Sequence, residues 1–578
     1  MACIPTEVTK TTISARGIAG KGPIPGPILF ATLTAWLFAT SAPATAATCA
    51  SLAGLALPDT TDTVAQPIPA GTYTAPDGEV FTNMPAFCRV AATLTPTSDS
   101  DIKIEVWLPF TSWNGNFAGT GNANLGGVIV YSSLPGGLQA GLAVANTDMG
   151  TSPAATQGGQ VLTGHPEKQI DYATRSTHLM TVRAKEIIKA FYGEPPKYSY
   201  FLGCSTGGAQ AIHEALQFPG DYDGITAGAP AINRTHAAAA MIWDYMAFNS
   251  SQANITTAQA TAVTAAVVKQ CAGKDGGLAS DNFLTDPRDC RWDPVALQCT
   301  GGPADAPTCL SAPQISAVRK FYEGPINPRT GQRIFPGQVP GSESNSGYPA
   351  NNLLLPSAPY WVFGNDFDPL TVDFDHDMDT LDGAMAARLN ANTADLEEFR
   401  SHGGKLILWQ GFADPRVPVL NTVAYYERLI ASQMRDGRHD AAQRQEAVRR
   451  TQEFARFYLA PGIGHCGGGA GPDTFDILSP MVPWVEQGIA PDQIIASKVV
   501  NGVTTFSRPL CPYPALSRYS GVGDPTQASS FKCVADEDHD DDQPPAPIYL
   551  DDGDNYPIVP ITRTGDHDQD HGHDHDDR

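Results

Sequence analysis

Residues Gly203 to Gly208 read GCSTGG, a serine set between small neighbours in the pattern G-x-S-x-G. A serine hydroxyl becomes a useful nucleophile only when a base takes its proton. The pattern suits a tight, strained turn from a strand into a helix, which lifts the hydroxyl clear of a sheet at the positive end of the helix. In chain order, an acid and then a histidine should follow from later strand ends. Asp414 follows KLILWQG and His465 follows RFYLAPG, so type, order and placement suit Ser205, Asp414 and His465 as nucleophile, acid and base. Asp473, beyond the histidine in a Gly-rich loop, is the weaker rival for the acid.

The serine has a cysteine directly before it, Cys204, and the histidine a cysteine directly after it, Cys466. The chain has 11 cysteines. Cys3 lies in an N-terminal leader, and the other ten form an even set, which in an exported protein reads as disulfides. Closeness along the chain suggests Cys49–Cys88, Cys271–Cys290, Cys299–Cys309 and Cys511–Cys533, although counting does not determine connectivity. Cys204 and Cys466 then remain. A disulfide holds Cα atoms roughly 5.5–6 Å apart. If these two pair, Ser205 and His465 must lie close together; otherwise each is a buried thiol or pairs elsewhere.

The elements that must position these residues are legible from hydrophobic patterning. The pattern predicts strands in Asp101–Pro109, in Gly141–Gly150, from Lys197 to the serine, in Tyr222–Ala231, from Gly403 and from Glu453, while the Gly/Asn-rich Trp113–Gly127 reads as a loop after a short strand. Helices are predicted over Thr174–Gly193, after Ser205 to Pro219, from Val419, and from Ile477 to Gly488. Strands alternating with helices imply an α/β fold with a mostly parallel sheet covered on both faces. From Asn233 to Ser401 the rhythm breaks, and this stretch reads as an inserted lid. The expected organisation is a signal peptide over 1–46, core over 47–232, lid over 233–401, core over 402–533, and an acidic His/Asp-rich disordered tail over 534–578.

The leader carries Lys10, Arg16 and Lys21, then an apolar run from Ile28 to Ala39, then an A-x-A site at Ala44–Ala46. The run is shorter than the ~20 residues of a spanning helix, so a cleaved signal is expected, with secretion to the periplasm or the medium and no membrane attachment after cleavage. A net charge of −24 argues against a nucleic-acid partner. Sequons stand at Asn233, Asn249 and Asn254. The tail ends GDHDQDHGHDHDDR, suited to divalent metals or to simple solvation. The acidic run Asp373–Asp382 reads as a solvated or capping segment.

Taken together, GCSTGG, GFADPRVP and PGIGHCGGG resemble the tannase and feruloyl esterase family, which also includes an enzyme cleaving mono-hydroxyethyl terephthalate. The resemblance runs from about Cys49 to Cys533 and takes in WNG at Trp113, DYDGITAGAPA, TDPRDCRWDP and RPLCPYP. It implies an α/β-hydrolase core with a large lid, all five disulfides, and a serine carboxylesterase without an organic cofactor. By the same resemblance the oxyanion donors are the N–H groups of Thr206 and Asn124, although the family's G-N-G-G is here Gly121-Asn122-Ala123-Asn124. It also implies a structural calcium ion held by Asp275 and Asp281, with the carbonyls of Ala279 and Phe283; the acid expected after Cys271 is replaced by Ala272. Expected substrates are small aromatic esters, free or carried on plant polymer or tannin. Feruloyl-type esters come first, then gallates and terephthalate monoesters, in a lid pocket drawing on Trp243, Tyr245, Tyr360, Trp361 and Phe363. The competing reading is a non-catalytic exported metal-binding protein.

Overall fold

The computed structural model describes residues 47–152, 162–301, 308–345, 357–434 and 441–535. The leader over 1–46 lies outside the described residues, as does the tail beyond Ala535. Nine strands form one sheet: β1 (Thr60–Ile68), β2 (Phe87–Leu94), β3 (Ile102–Pro109), β4 (Asn116–Thr120), β5 (Ala143–Thr147), β6 (Tyr198–Cys204), β7 (Gly224–Gly228), β8 (Lys405–Gly411) and β9 (Ala455–Ala460). Their spatial order is β1-β2-β3-β5-β4-β6-β7-β8-β9. The first three strands and the β3–β5 pair run antiparallel; from β5 onward every neighbour is parallel. This is an α/β-hydrolase-type arrangement, and its parallel half has strands buried on both faces, as crossover helices require.

Helices α1 (Ser176–Tyr192), α2 (Thr206–Gln217), α3 (Arg234–Phe248), α4 (Thr257–Cys271), α5 (Ala312–Glu323), α6 (His376–Leu389), α7 (Val419–Ser432), α8 (Ala441–Gln452) and α9 (Leu478–Gln487) follow in chain order. Helix α1 stops where predicted, because Gly193 takes a left-handed φ of 84°. One face of the sheet packs Ile104, Phe201, Ile225 and Leu408 against α1, α2 and α7; the other packs Trp107, Tyr200, Ile407 and Tyr458 against α9. The chain leaves the sheet after β7 and returns at β8, so the lid connects two adjacent parallel strands. Within it, two apolar clusters form, one around Phe248, Val263, Val267 and Phe321, the other around Ile242, Trp361 and Leu381.

The two residues past Cys533 belong to a final strand, Phe531–Ala535, paired with Ala515–Tyr519, so order runs slightly past the expected tail boundary. Asn233 is fully buried and its side chain accepts from the His236 N–H to cap α3, so this sequon asparagine serves as a helix cap and offers no surface for a glycan. Asn249 and Asn254 are exposed.

Candidate active site

Five disulfides join Cys49–Cys88, Cys204–Cys466, Cys271–Cys290, Cys299–Cys309 and Cys511–Cys533. The second spans 262 residues with a Cα–Cα separation of 6.0 Å, and it ties the end of β6 to the loop after β9.

Ser205 sits between β6 and α2 with φ 64° and ψ −118°, a strained turn for a residue with a side chain. The turn depends on its glycines. A Cβ on Gly203 would lie 2.1 Å from the Gly207 carbonyl oxygen, and one on Gly121 would lie 2.4 Å from the Gly207 Cα. The serine turn and the Gly121 loop are therefore in main-chain contact, fastened by the Gly207 N–H donating to the Asn122 carbonyl at 2.8 Å.

Beside this turn the structure brings the histidine and the acid. His465 Nε2 lies 2.8 Å from Ser205 Oγ, and His465 Nδ1 lies 2.8 Å from Asp414 Oδ2. Asp414 is buried, yet its oxygens are well supplied: Oδ1 accepts the N–H groups of Arg416 and Val417 at 2.8 and 3.1 Å, and Oδ2 accepts Gln410 Nε2 at 2.7 Å. Gln410 is itself set by the Thr422 hydroxyl at 3.0 Å. With Asp414 accepting, His465 carries its proton on Nδ1 and presents an unprotonated Nε2 to the serine.

Asp473 plays a different part. Its Oδ2 accepts the Gly468 N–H at 3.0 Å and its Oδ1 pairs with Lys498 at 3.1 Å, while Lys498 also donates to the Gly469 carbonyl at 2.7 Å. It braces the loop that follows His465 and does not touch the imidazole. Neither Gln410 nor the Lys498–Asp473 brace is marked by any sequence motif, because both act through fold-dependent contacts.

Thr206 is the first residue of α2, so its N–H has no intrahelical acceptor. Its hydroxyl donates to the Asn124 carbonyl at 2.6 Å. Asn124 holds φ 51°, a left-handed conformation that asparagine tolerates where the family pattern has glycine. Tyr172 donates to the same carbonyl at 3.4 Å, receives Arg234 Nη1 at 2.5 Å, and meets Trp361 edge-on at 5.5 Å. Tyr172 lies on a π-helical turn, Asp171–Arg175, immediately before α1. Such turns often mark functional positions, and this one connects the lid to the Asn124 loop. Below that loop, burial raises the Asp148 carboxyl to about 6. Of the other lid aromatics, Trp243 packs on Phe374 and donates to the Lys320 carbonyl, while Tyr360 and Phe363 pack on Phe367. Outside the lid, the Thr163 hydroxyl donates to the Tyr360 carbonyl at 3.4 Å, and Tyr245 borders Tyr360.

The expected calcium loop offers poor fit. Asp275 is buried with both oxygens engaged by main-chain N–H groups, Oδ1 by Gly273 and Gly277 at 3.1 Å and Oδ2 by Thr285 at 2.5 Å. Asp281 Oδ1 faces Arg508 Nη2 at 2.9 Å, in a pair only 9% and 6% exposed. The Arg508 guanidinium is itself fixed over the Phe531 ring at 4.2 Å. Phe283 stacks on Phe506, and Ala279 packs against Gly273. Calcium takes six to eight oxygens. Here a fixed cation already occupies the second carboxylate, and Ala272 supplies none, so these residues do not fit the ion.

A family model described as tannase and feruloyl esterase matches residues 88–355 and 358–534. An uncharacterised esterase of Xanthomonas campestris pv. campestris is 38% identical over 539 residues, covering 86% of this chain and 92% of that protein. A protein named probable feruloyl esterase B-2 from Aspergillus flavus is 33% identical over 451 residues, covering 72% and 80%. The crystal structure of feruloyl esterase B from Aspergillus oryzae superposes with a TM-score of 0.76 at 28% identity, covering 84% of this chain and 99% of that one.

Proposed function

The chain belongs to the tannase and feruloyl esterase family and is a carboxylic ester hydrolase, and from that premise we propose that it cleaves esters of phenolic aromatic acids through Ser205, His465 and Asp414. The observation that carries this reading is the unbroken chain of two 2.8 Å contacts from Ser205 Oγ through the imidazole to Asp414.

In the proposed reaction His465 Nε2 takes the Ser205 proton as Oγ attacks the ester carbonyl. The carbonyl oxygen gains negative charge, which the N–H groups of Thr206 and Asn124 stabilise. Asp414 holds the imidazolium that forms. The proton then passes from Nε2 to the departing alkoxide and leaves an acyl-enzyme. Water, deprotonated by the same nitrogen, releases the acid and restores the serine. The aromatic acyl group is assigned to the lid side of the Asn124 loop, next to the buried Tyr172–Trp361 pair. The named relatives support a feruloyl-type acid ahead of a gallate or a terephthalate monoester. Five disulfides accord with export to an oxidising compartment, and among the described residues no helix is long and apolar enough to cross a membrane. We assign the balance of charge in the Cys271–Cys290 loop to Arg508 in place of calcium.

Hydrolysis of methyl ferulate, methyl gallate and a terephthalate monoester by wild type and Ser205→Ala tests the reading. The expected result is fastest turnover of the ferulate and its loss in the variant, with an unchanged circular dichroism spectrum. Equal rates in wild type and variant would remove Ser205 from the mechanism, and inactivity on all three would remove the substrate class.

A further inference from the structure

Away from the serine, α1, α2 and the loop before β7 bring together a second group of chemically capable side chains. His178 lies on α1, Glu214 in the last turn of α2, and Asp221 in the loop. Each offers one ligand atom, and the three atoms lie within 4.8 Å of one another. Glu214 is nine positions along from Ser205, which places it ~13 Å away along the helix.

Of the two carboxylates, that of Glu214 has no ion-pair partner among the described residues. Glu214 is 1% exposed, and neither of its oxygens has a hydrogen-bond partner. Its neighbour is the Asp221 carboxylate, so two groups that repel when both are ionised face each other. Lys185 is the nearest cation, but its ammonium donates to the Asp221 main-chain carbonyl. His178 Nδ1 meets Asp221 Oδ2 at 2.6 Å, and the ring is held by stacking on Phe218, 3.9 Å away and 11° from parallel. Buried carboxylates are costly unless a partner neutralises them.

We propose that His178, Glu214 and Asp221 form a structural site for one borderline divalent cation, with Zn²⁺ the ion best matched to its donors. One imidazole and two carboxylates are a common zinc donor set, with bonds of about 2.0–2.2 Å. Donors at that radius stand roughly 3.4 Å apart in a tetrahedron. Small rotations would open the His178–Asp221 contact and close the remainder. The two carboxylates would balance the ion's charge. The His178 side chain is 29% exposed and that of Asp221 15%, which gives the ion an entry and a water a fourth position. Phe218 would orient the imidazole from outside the ligand shell. The bound ion would clamp the C-terminal end of α2, the helix that starts at Ser205, to α1. This inference is independent of the ester chemistry.

The test uses the full chain, stripped with a chelator and dialysed. Zn²⁺ uptake is counted by equilibrium dialysis, and melting is followed with and without Zn²⁺, for wild type, His178→Ala and Glu214→Gln. The His/Asp-rich C-terminal segment is common to all three chains, so its ions cancel in the difference. Wild type is expected to hold one more Zn²⁺ than either variant and to be the chain whose melting temperature rises with the ion. Equal uptake and equal melting shifts would overturn the proposal. Co²⁺ added to the wild type supplies a readout that needs no variant. Intense visible bands of a four- or five-coordinate ion are expected, and only the weak bands of six-coordinate cobalt would overturn the site.

Discussion

Removing the Cys204–Cys466 bridge in a Cys204→Ala/Cys466→Ala chain should damage stability and catalysis together. The bridge closes 262 residues. In the chain-entropy account, a closed loop of that length restricts the unfolded state by about 5–6 kcal/mol at 25 °C. That figure is a ceiling, because the Cys271–Cys290 and Cys299–Cys309 bridges already shorten the effective loop and real bridges often deliver about 2–4 kcal/mol. The control is Cys299→Ala/Cys309→Ala, whose bridge spans 10 residues and gives about 2.7 kcal/mol by the same relation. The catalytic consequence differs more sharply. The serine and the histidine are each adjacent to a half-cystine, and misplacement by about 1 Å can cost on the order of 100-fold in rate. Denaturant unfolding and kcat on an aryl ester should therefore separate the two double variants. Loss of Cys204–Cys466 lowers stability by at least about 2 kcal/mol and kcat by roughly 100-fold, whereas loss of Cys299–Cys309 lowers stability alone. If the first variant kept kcat within about threefold of wild type, the bridge would not be what positions the serine against its base.

Asp414→Asn should fold yet lose roughly 10⁴ in kcat, the size seen for the equivalent change in a serine protease. The Arg416 and Val417 N–H groups retain the amide oxygen, which turns the NH₂ toward His465 and forces the proton onto Nε2; kcat within tenfold of wild type would contradict this. Chelation with EDTA should leave the contribution of the Cys271–Cys290 loop unchanged, whereas Arg508→Met should destabilise the protein by about 3–5 kcal/mol by leaving buried Asp281 unpaired. Calcium-dependent recovery of the melting temperature in the wild type, lost in Asp281→Asn, would reverse that reading. His213 is fully buried against the Leu389 carbonyl, and burial lowers it to about 4. The folded protein holds it neutral while the unfolded chain takes up a proton below about 6.5, so stability should fall as pH drops from about 6.5 to about 4. The drop attributable to this residue is on the order of 3 kcal/mol. His213→Gln should flatten that part of the profile, measured by denaturant midpoints across the range; an identical slope would rule His213 out as its cause.

Much of the fold was legible because its signals are local. The buried runs at Gly141–Gly150 and Tyr222–Ala231, and the strand–turn–helix around Ser205, depend on neighbours a few residues away. The helix Ala441–Gln452 escaped reading, since its mean hydropathy is low and it buries only Ala447 and Thr451 among its described residues.

Residue type and chain order singled out Ser205, Asp414 and His465, because a strand-end nucleophile and its partners leave signatures in spacing, whereas the Cys204–Cys466 pairing was implied by the family resemblance and is made by the fold. Tertiary structure decided what depends on distance. It set Asp414 on the imidazole and Asp473 on Lys498, buried the Asn233 sequon as a helix cap, and brought Arg508 from 227 residues away against Asp281. It also assembled His178, Glu214 and Asp221 from two helices and a loop. Such encounters are set by packing across the sheet, where electrostatic and hydrogen-bond energies depend on separations of a few ångströms that no linear spacing encodes.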